Sequence, residues 1–418
     1  MFLLAPAAPV SAREKRACTL LAKAARTRAY AEHRRRNVRA PDPVYPEDGS
    51  LPLKIWFTSP KKTPDVINSE KLKRILEEQD AAFCDIDFDY EWIQDVAIFS
   101  SQGKLLLQAD MPPDQDILIG LTLGVLNSGK YGIDPMRLTP QHAKALGLPY
   151  RRMRWTLVEG GEMITGRFPS GETYAVIDED VVLRAQAYYA HLKGRALSAG
   201  GARRLISRDL GISPRNLFPV ASGGIHLDVM LTALPGGVLL LQDYGKTLEV
   251  LDRLLAAELP PAERRRLRRM RDFHTRGFRY LDPLATILSE AGDSGERVFR
   301  PFDAAEEKGR FERIAAALGG RFKLVRAAGI FKELKENADP LEDRNEMLFD
   351  RINFFNGFVG ADAGGRLFVV TNTANELPSL ENYWRDLLGR HGIAPERVHF
   401  LGYFDDGAGI DCAGASSG

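Results

Sequence analysis

Apolar positions along this chain come in two textures. Short apolar runs, often paired across a glycine, read as β-hairpins by their turn chemistry. Longer stretches with apolar residues three or four apart read as amphipathic helices, at Ser69 to Gln79, Leu183 to Lys193, Tyr244 to Leu259 and Leu380 to Arg390. Hairpins alternating with helices predict an α/β fold.

The hairpins are copies of one another. Asp95-Val-Ala-Ile-Phe-Ser-Ser-Gln-Gly103 runs into Lys-Leu-Leu-Leu-Gln108, and Asp228-Val-Met-Leu-Thr-Ala-Leu-Pro-Gly236 runs into Gly-Val-Leu-Leu-Leu-Gln242. Each has an Asp, an apolar strand, a turn glycine eight residues on and a second strand ending Leu-Leu-Leu-Gln. A third copy begins at Asn356 and turns at Gly364; a looser one runs from Glu159-Gly160-Gly161 through Ser170-Gly171 to Ile177. The last, Gly407-Ala-Gly-Ile-Asp-Cys412, puts a cysteine at the marked position. Successive marks are 64, 69, 128 and 56 residues apart. A unit of strand, strand, helix and further strand repeated around a centre predicts a five-fold pseudosymmetric α/β-propeller, which removes exposed edges and aims equivalent strand ends at one axis.

Charge divides the chain further. Lys and Arg total 57 against 56 Asp and Glu, a net charge of +1, so the whole lacks the basic field of a nucleic-acid binder. Residues 1–40 carry ten Lys/Arg and two Asp/Glu and read as a basic helical arm. Pro41, Pro43, Pro46 and Gly49 mark residues 41–52 as a linker, leaving 53–418 as the folded body. The long third interval implies a helical insertion near 246–310, including the basic run Glu263 to Arg271, which reads as a solvated face. No apolar run is long enough to span a membrane. Three cysteines, Cys18, Cys84 and Cys412, make no disulfide framework and fit a reducing, cytoplasmic setting, with export left open by the apolar first residues. Oligomeric state is not encoded in any pattern.

If the repeat brings Asp95, Glu159, His226, Asp228 and Cys412 together, the pocket holds a nucleophile, an acid/base and three carboxylates. Carboxylates near a thiol raise its pKa, so the cysteine needs a cation beside it to react. A guanidinium fits, being planar, permanently charged and gripped by two carboxylates in bidentate fashion. Attack by Cys412 on its central carbon requires the departing amino group to take a proton, and His226 is the donor in the set. Hydrolysis of the thiouronium would then give a ureido product and ammonia. His226 and Asp228, two apart on an expected strand, would share a face. The bland readings are a core role for Trp92, structural hydrogen bonding for Gln94 and Asn356, a bend at Glu159, and small buried thiols at Cys18 and Cys84.

Glu91-Trp-Ile-Gln-Asp95, Gly224-Ile-His-Leu-Asp228, Phe354-Phe-Asn356 and Cys412 resemble the catalytic domain of the protein-arginine deiminases, members of the guanidine-modifying pentein superfamily. The resemblance covers about 53–418 and implies a five-fold α/β-propeller that converts arginine in a peptide or protein to citrulline. By it, Asp95 and Asp228 bind the guanidinium, His226 is the acid/base, Cys412 is the nucleophile, and Trp92, Gln94, Glu159 and Asn356 line the substrate site. Val158-Glu-Gly-Gly161 is instead similar to the free-arginine and agmatine deiminases.

Three departures shape the expectation. The immunoglobulin-like domains of the animal enzymes are absent. Val96 and Ile98 stand where that family's calcium site has acidic residues, so activity is expected to need neither calcium nor another metal or cofactor. Asp411 replaces a common His, and no Arg lies between Phe404 and Ile410 to hold a peptide carbonyl, leaving Arg152, Arg154 and Arg351 as other contacts. The readings left open are deimination of free arginine or a small guanidine, amidino transfer to an amine, and an inactive guanidinium-binding homologue.

Overall fold

Tight glycine turns set the scaffold. Gly103, Gly171, Gly236, Gly237 and Gly365 adopt left-handed backbone between antiparallel strands, a conformation glycine takes without steric cost. The computed structural model describes residues 42–53, 55–58, 69–85, 98–109, 140–145, 147–158, 160–222, 226–276, 279–281, 299–301, 304–334, 349–374, 376–401 and 415–416. The expected basic arm of 1–40, with Cys18, lies outside these residues.

In chain order, β1 (Ile55–Thr58) and β2 (Ala82–Asp85) are parallel neighbours, with the helix Ser69–Glu78 between them. The hairpin of β3 (Ile98–Phe99) and β4 (Leu105–Leu107) is extended by β5 (Tyr150–Arg152), parallel to β4. The next hairpin, β6 (Met163–Arg167) with β7 (Thr173–Asp178), is extended by β8 (Leu217–Val220) after the helices Glu179–Lys193 and Ala199–Leu210. The hairpin of β9 (Leu231–Leu234) and β10 (Val238–Gln242) is followed by the helices Tyr244–Leu255 and Pro261–Arg276. A small hairpin, β11 (Arg279–Leu281) with β12 (Phe299–Pro301), and the helix Ala304–Leu318 then precede β13 (Lys323–Ala327), which lies parallel to β10. A second added hairpin, β14 (Ile330–Leu334) with β15 (Phe349–Asn353), leads into β16 (Gly357–Ala361), β17 (Leu367–Asn372), the helix Pro378–Gly389 and β18 (Val398–Leu401). Finally β19 (Ala415–Ser416) pairs antiparallel with β1.

The fold is therefore mixed α/β and repetitive. Among the described residues, five three-stranded sheets share one plan: a first strand antiparallel to a central strand, and a third strand parallel to it. A parallel neighbour requires a crossover, and here helices supply it. One sheet is shared between the two ends of the described chain, β19 supplying the first strand and β1 the second. First strands also meet between sheets, with β9 packed against β6 and against β16.

Apolar sheet faces and helix stripes close on each other in separate cores. Val176, Leu231, Leu239 and Leu241 pack with Ile314 and Leu318 of the helix Ala304–Leu318. Around β16 and β17, Phe354 stacks on Trp384 with ring centroids 5.3 Å apart and Phe355 meets the same indole edge-on at 5.4 Å. Burying aromatic rings of this size stabilises by about 3 kcal/mol or more each against truncation to alanine, and it fixes the chain just before Asn356.

Two stretches differ from their sequence reading. Residues 42–53, whose prolines read as a linker, are threaded through the body. Val44 N–H donates to the Leu210 carbonyl, Tyr45 N–H to Phe99, Glu47 N–H to Thr165 and Leu53 N–H to Ala361, while Asp48 bridges Val359. Prolines set extended backbone here, but the intervening Val44, Tyr45, Leu51 and Leu53 are buried, and their burial holds the segment in place. The basic run near Arg271 is likewise only partly a solvated face: Arg266 and Arg269 turn inward onto the carboxylate of Glu333, which is buried on β14.

Candidate functional site

Three of the repeat's marked residues stand at one register. Asp95, Asp228 and Cys412 each come three positions before a first strand, β3, β9 and β19 respectively; Glu159 comes four before β6 and Asn356 immediately before β16. Of these, His226, Asp228 and Asn356 are among the described residues. Trp92, Gln94, Asp95, Glu159, Cys412 and the neighbouring Asp411 lie outside them.

His226 and Asp228 converge, though not by the expected route. Residues 227–229 form a 3-10 turn rather than a strand, with His226 as the extended residue leading into it. The shared focus is Gly161, in the 3-10 turn Gly160–Glu162 just before β6. A methyl group on Gly161 would lie inside contact distance of His226 Nδ1, 2.7 Å from its Cγ and 3.0 Å from Asp228 Oδ2. Imidazole and carboxylate therefore meet over a glycine because only glycine leaves them room.

The supports of this focus are buried and polar. Glu162, beside Gly161, forms an ion pair with Arg184 of the helix Glu179–Lys193, both nearly inaccessible. Asp178 caps that helix by accepting from Asp180 N–H at 2.8 Å, and it also accepts from the amide and hydroxyl of Ser222, four residues before His226 in the chain. The same device recurs at the ends of other central strands. Gln108 Nε2 donates to the Val158 carbonyl at 2.8 Å, and Gln242 Oε1 accepts from Gly329 N–H at 2.9 Å and Ile330 N–H at 3.1 Å. Each polar side chain thus holds the segment that enters the next hairpin.

Asn356 is 3% exposed, and its Oδ1 has no hydrogen-bond partner among the described residues. Nearby, Asn353 Nδ2 donates to the Val229 carbonyl at 3.1 Å, tying the approach to β16 to the turn that carries Asp228. Of the other contacts considered, Arg154 is placed over the Trp155 ring at 5.2 Å, and Arg152 lies on the exposed strand β5.

A carboxyl the sequence reading did not single out stands at this site. Glu47, in the threaded segment, has its pKa pushed up to about 8 by burial first and then by the charge of Asp228, with Asp48 adding and a hydrogen bond from Thr165 opposing. The residue as a whole keeps some accessible surface although protein encloses its carboxyl. Its neighbour Asp48 is fully buried and accepts from Arg167 N–H at 2.7 Å and Ser50 N–H at 2.9 Å. The only signal for Glu47 in the sequence was an acidic pair, Glu47-Asp48, set among apolar residues that have no reason to be apolar in a linker.

No protein-family model matches the chain, and no curated protein matches it. Among solved structures, it is similar to a substrate-bound variant of C. jejuni agmatine deiminase, with a TM-score of 0.45 and 10% identity over 89% of this chain and 95% of that one. It is also similar to the agmatine deiminase of Enterococcus faecalis, with a TM-score of 0.43 and 11% identity over 89% of this chain and 94% of the other.

Proposed function

We propose that this chain is a guanidine deiminase, hydrolysing the C–N bond of a guanidinium compound to a ureido product and ammonia. The observation that carries the reading is the common register: Asp95, Asp228 and Cys412 stand at equivalent positions before the first strands of sheets built on one plan. Closure of the five units around one axis would bring two carboxylates and a thiol to a single cavity, with His226 already beside Asp228.

In this mechanism Asp228 and Asp95 hold the cation and place its carbon against Cys412. The thiolate adds to that carbon, forming a C–S bond, and imidazolium His226 gives its proton to the departing nitrogen, which leaves as ammonia. Neutral His226 then takes a proton from water as the hydroxide adds to the thiouronium carbon. Collapse breaks the C–S bond and returns the thiolate.

A small or free guanidine is the favoured substrate over arginine within a protein. Gly161, the residue on which His226 and Asp228 converge, belongs to the Glu159-Gly160-Gly161 motif that resembles the free-arginine and agmatine deiminases. The test is a panel of free arginine, alkylguanidines and blocked arginyl peptides assayed for ureido product and ammonia, with Cys412→Ala as control. Ureido product from small guanidines but not from peptides supports the reading; peptide turnover restores the protein-arginine alternative, and transfer of the amidino group to an amine replaces hydrolysis. Calcium is not required in this reading, because Ile98 supplies only an apolar, buried side chain at its position on β3. Turnover is expected to be unchanged in EDTA.

A further inference from the structure

We infer that Asn353 is a positioning residue of the proposed guanidine site, holding the turn that presents Asp228 so that its carboxylate meets the incoming cation. This deepens the guanidine reading above and rests on it.

The contact is with the peptide unit next to Asp228. In the turn 227–229, Met230 N–H donates to the Leu227 carbonyl at 3.0 Å, while the Val229 carbonyl, on the opposite edge of the same peptide unit, accepts from Asn353 Nδ2 at 3.1 Å. A planar peptide bonded at both edges cannot rotate without breaking one of the two bonds. Asn353 is itself fixed from its own backbone. Its Oδ1 accepts from Phe355 N–H at 3.0 Å, which leaves the amide nitrogen facing Val229. The residue is 1% exposed, so water offers no substitute for either bond.

These bonds close a ring. Gln242 N–H donates to the Met230 carbonyl at 3.0 Å, and its Oε1 accepts from Gly329 N–H and Ile330 N–H. Ile330 opens β14 and pairs with Asn353, the last residue of β15, whose side chain returns to Val229. Asn372 braces the ring from β17, donating to the Asn353 carbonyl at 2.9 Å. The hairpin that carries Asn353 is anchored on the helix Pro261–Arg276, through Glu333 to Arg266 and Arg269 and through Lys332 N–H to His274. The added hairpin thus gives the Asp228 turn an outer support, and Asn353 is the side chain by which it touches that turn. On its inner side Asp228 has little room, since a methyl group on Gly161 would lie 3.0 Å from Oδ2. A two-pronged carboxylate–guanidinium grip depends on orientation, so a tilt of this turn weakens it.

The experiment compares alkylation of Cys412 in the full chain by chloroacetamidine, a planar cation, and by chloroacetamide, its neutral counterpart. With either reagent the thiolate attacks the methylene carbon, a C–S bond forms and chloride leaves. The ratio of the two rates therefore divides out thiol reactivity and reads the hold on the cation. The parent is expected to prefer the amidine. Asn353→Asp keeps the acceptor for Phe355 N–H but turns a second acceptor toward Val229, and Asn353→Ser, which buries no charge, is too short to reach it. Each is expected to lower the ratio roughly tenfold, with chloroacetamide alkylation unchanged. In an Asp228→Asn background the same substitutions are expected to lower it no further, as action through Asp228 requires. A ratio unaltered by both variants overturns the assignment, and so does equal slowing with both reagents, which marks a support of the whole fold. A parent without amidine preference at Cys412 removes the guanidine reading and this inference with it. Preference that is lost with Asp228→Asn but kept in both Asn353 variants removes only the role given to Asn353.

Discussion

Gly161 leaves no space between itself and the imidazole of His226: a methyl group on its Cα would fall inside contact distance of Nδ1 and 2.7 Å from Cγ. The nearest obstruction is a ring rather than the end of a flexible chain, so the ring must turn away. That relationship makes position 161 a probe of the site that bears no functional group of its own.

Gly161→Ala is expected to lower kcat/KM for the best guanidine substrate by about 100-fold or more, since displacement of an acid/base by about 1 Å costs on that order. Thermal unfolding should change little, because the loss comes from rotation of one side chain. Unaltered kinetics with a well-folded variant would show that His226 is not the group that moves protons.

The Glu162–Arg184 pair calls for a stability measurement rather than a kinetic one. Both side chains are nearly inaccessible, so removing one partner strands a charge in the interior. Arg184→Leu is expected to cost about 3–5 kcal/mol in urea unfolding. Glu162→Gln together with Arg184→Leu should be milder than Arg184→Leu alone, because no bare carboxylate remains.

His274 gives a pH signature. It is a buried residue of the helix Pro261–Arg276, on the side facing β14, and its Nε2 accepts from Lys332 N–H at 3.2 Å. Burial, reinforced by the positive charge of Lys332, pushes its pKa down from 6.5 to about 3. The folded chain therefore keeps this ring neutral while the unfolded chain protonates it below 6.5. Its contribution is fully present above pH 6.5 and is lost progressively as pH falls toward 3, on the order of 4 kcal/mol at most. His274→Asn should flatten the fall in unfolding free energy between pH 6.5 and 4 while costing some stability at pH 7 through lost packing on Tyr244.

What was legible in the sequence is what local chemistry dictates. The turn glycines Gly103, Gly171 and Gly236 and the strands beside them are encoded within a few residues, as are the helices beginning at Ser69, Tyr244 and Pro378. The convergence of His226 and Asp228 was foreseen for the wrong reason: strand alternation predicted a shared face, whereas a 3-10 turn and a facing glycine produce the meeting. Glu47 was invisible because its position depends on hydrogen bonds to Thr165 and the bridge of Asp48 to Val359, well over 100 and 300 residues away. Arg266 and Arg269 were read as solvated because a charge run carries no record of the buried Glu333 it would face.

The pairing of β19 with β1 joins residues about 360 positions apart. Closing so long a loop is entropically uphill until the rest of the chain is in place, so this sheet is among the last that folding can complete. A chain cut before residue 415 would leave the edge of β1 without its antiparallel neighbour.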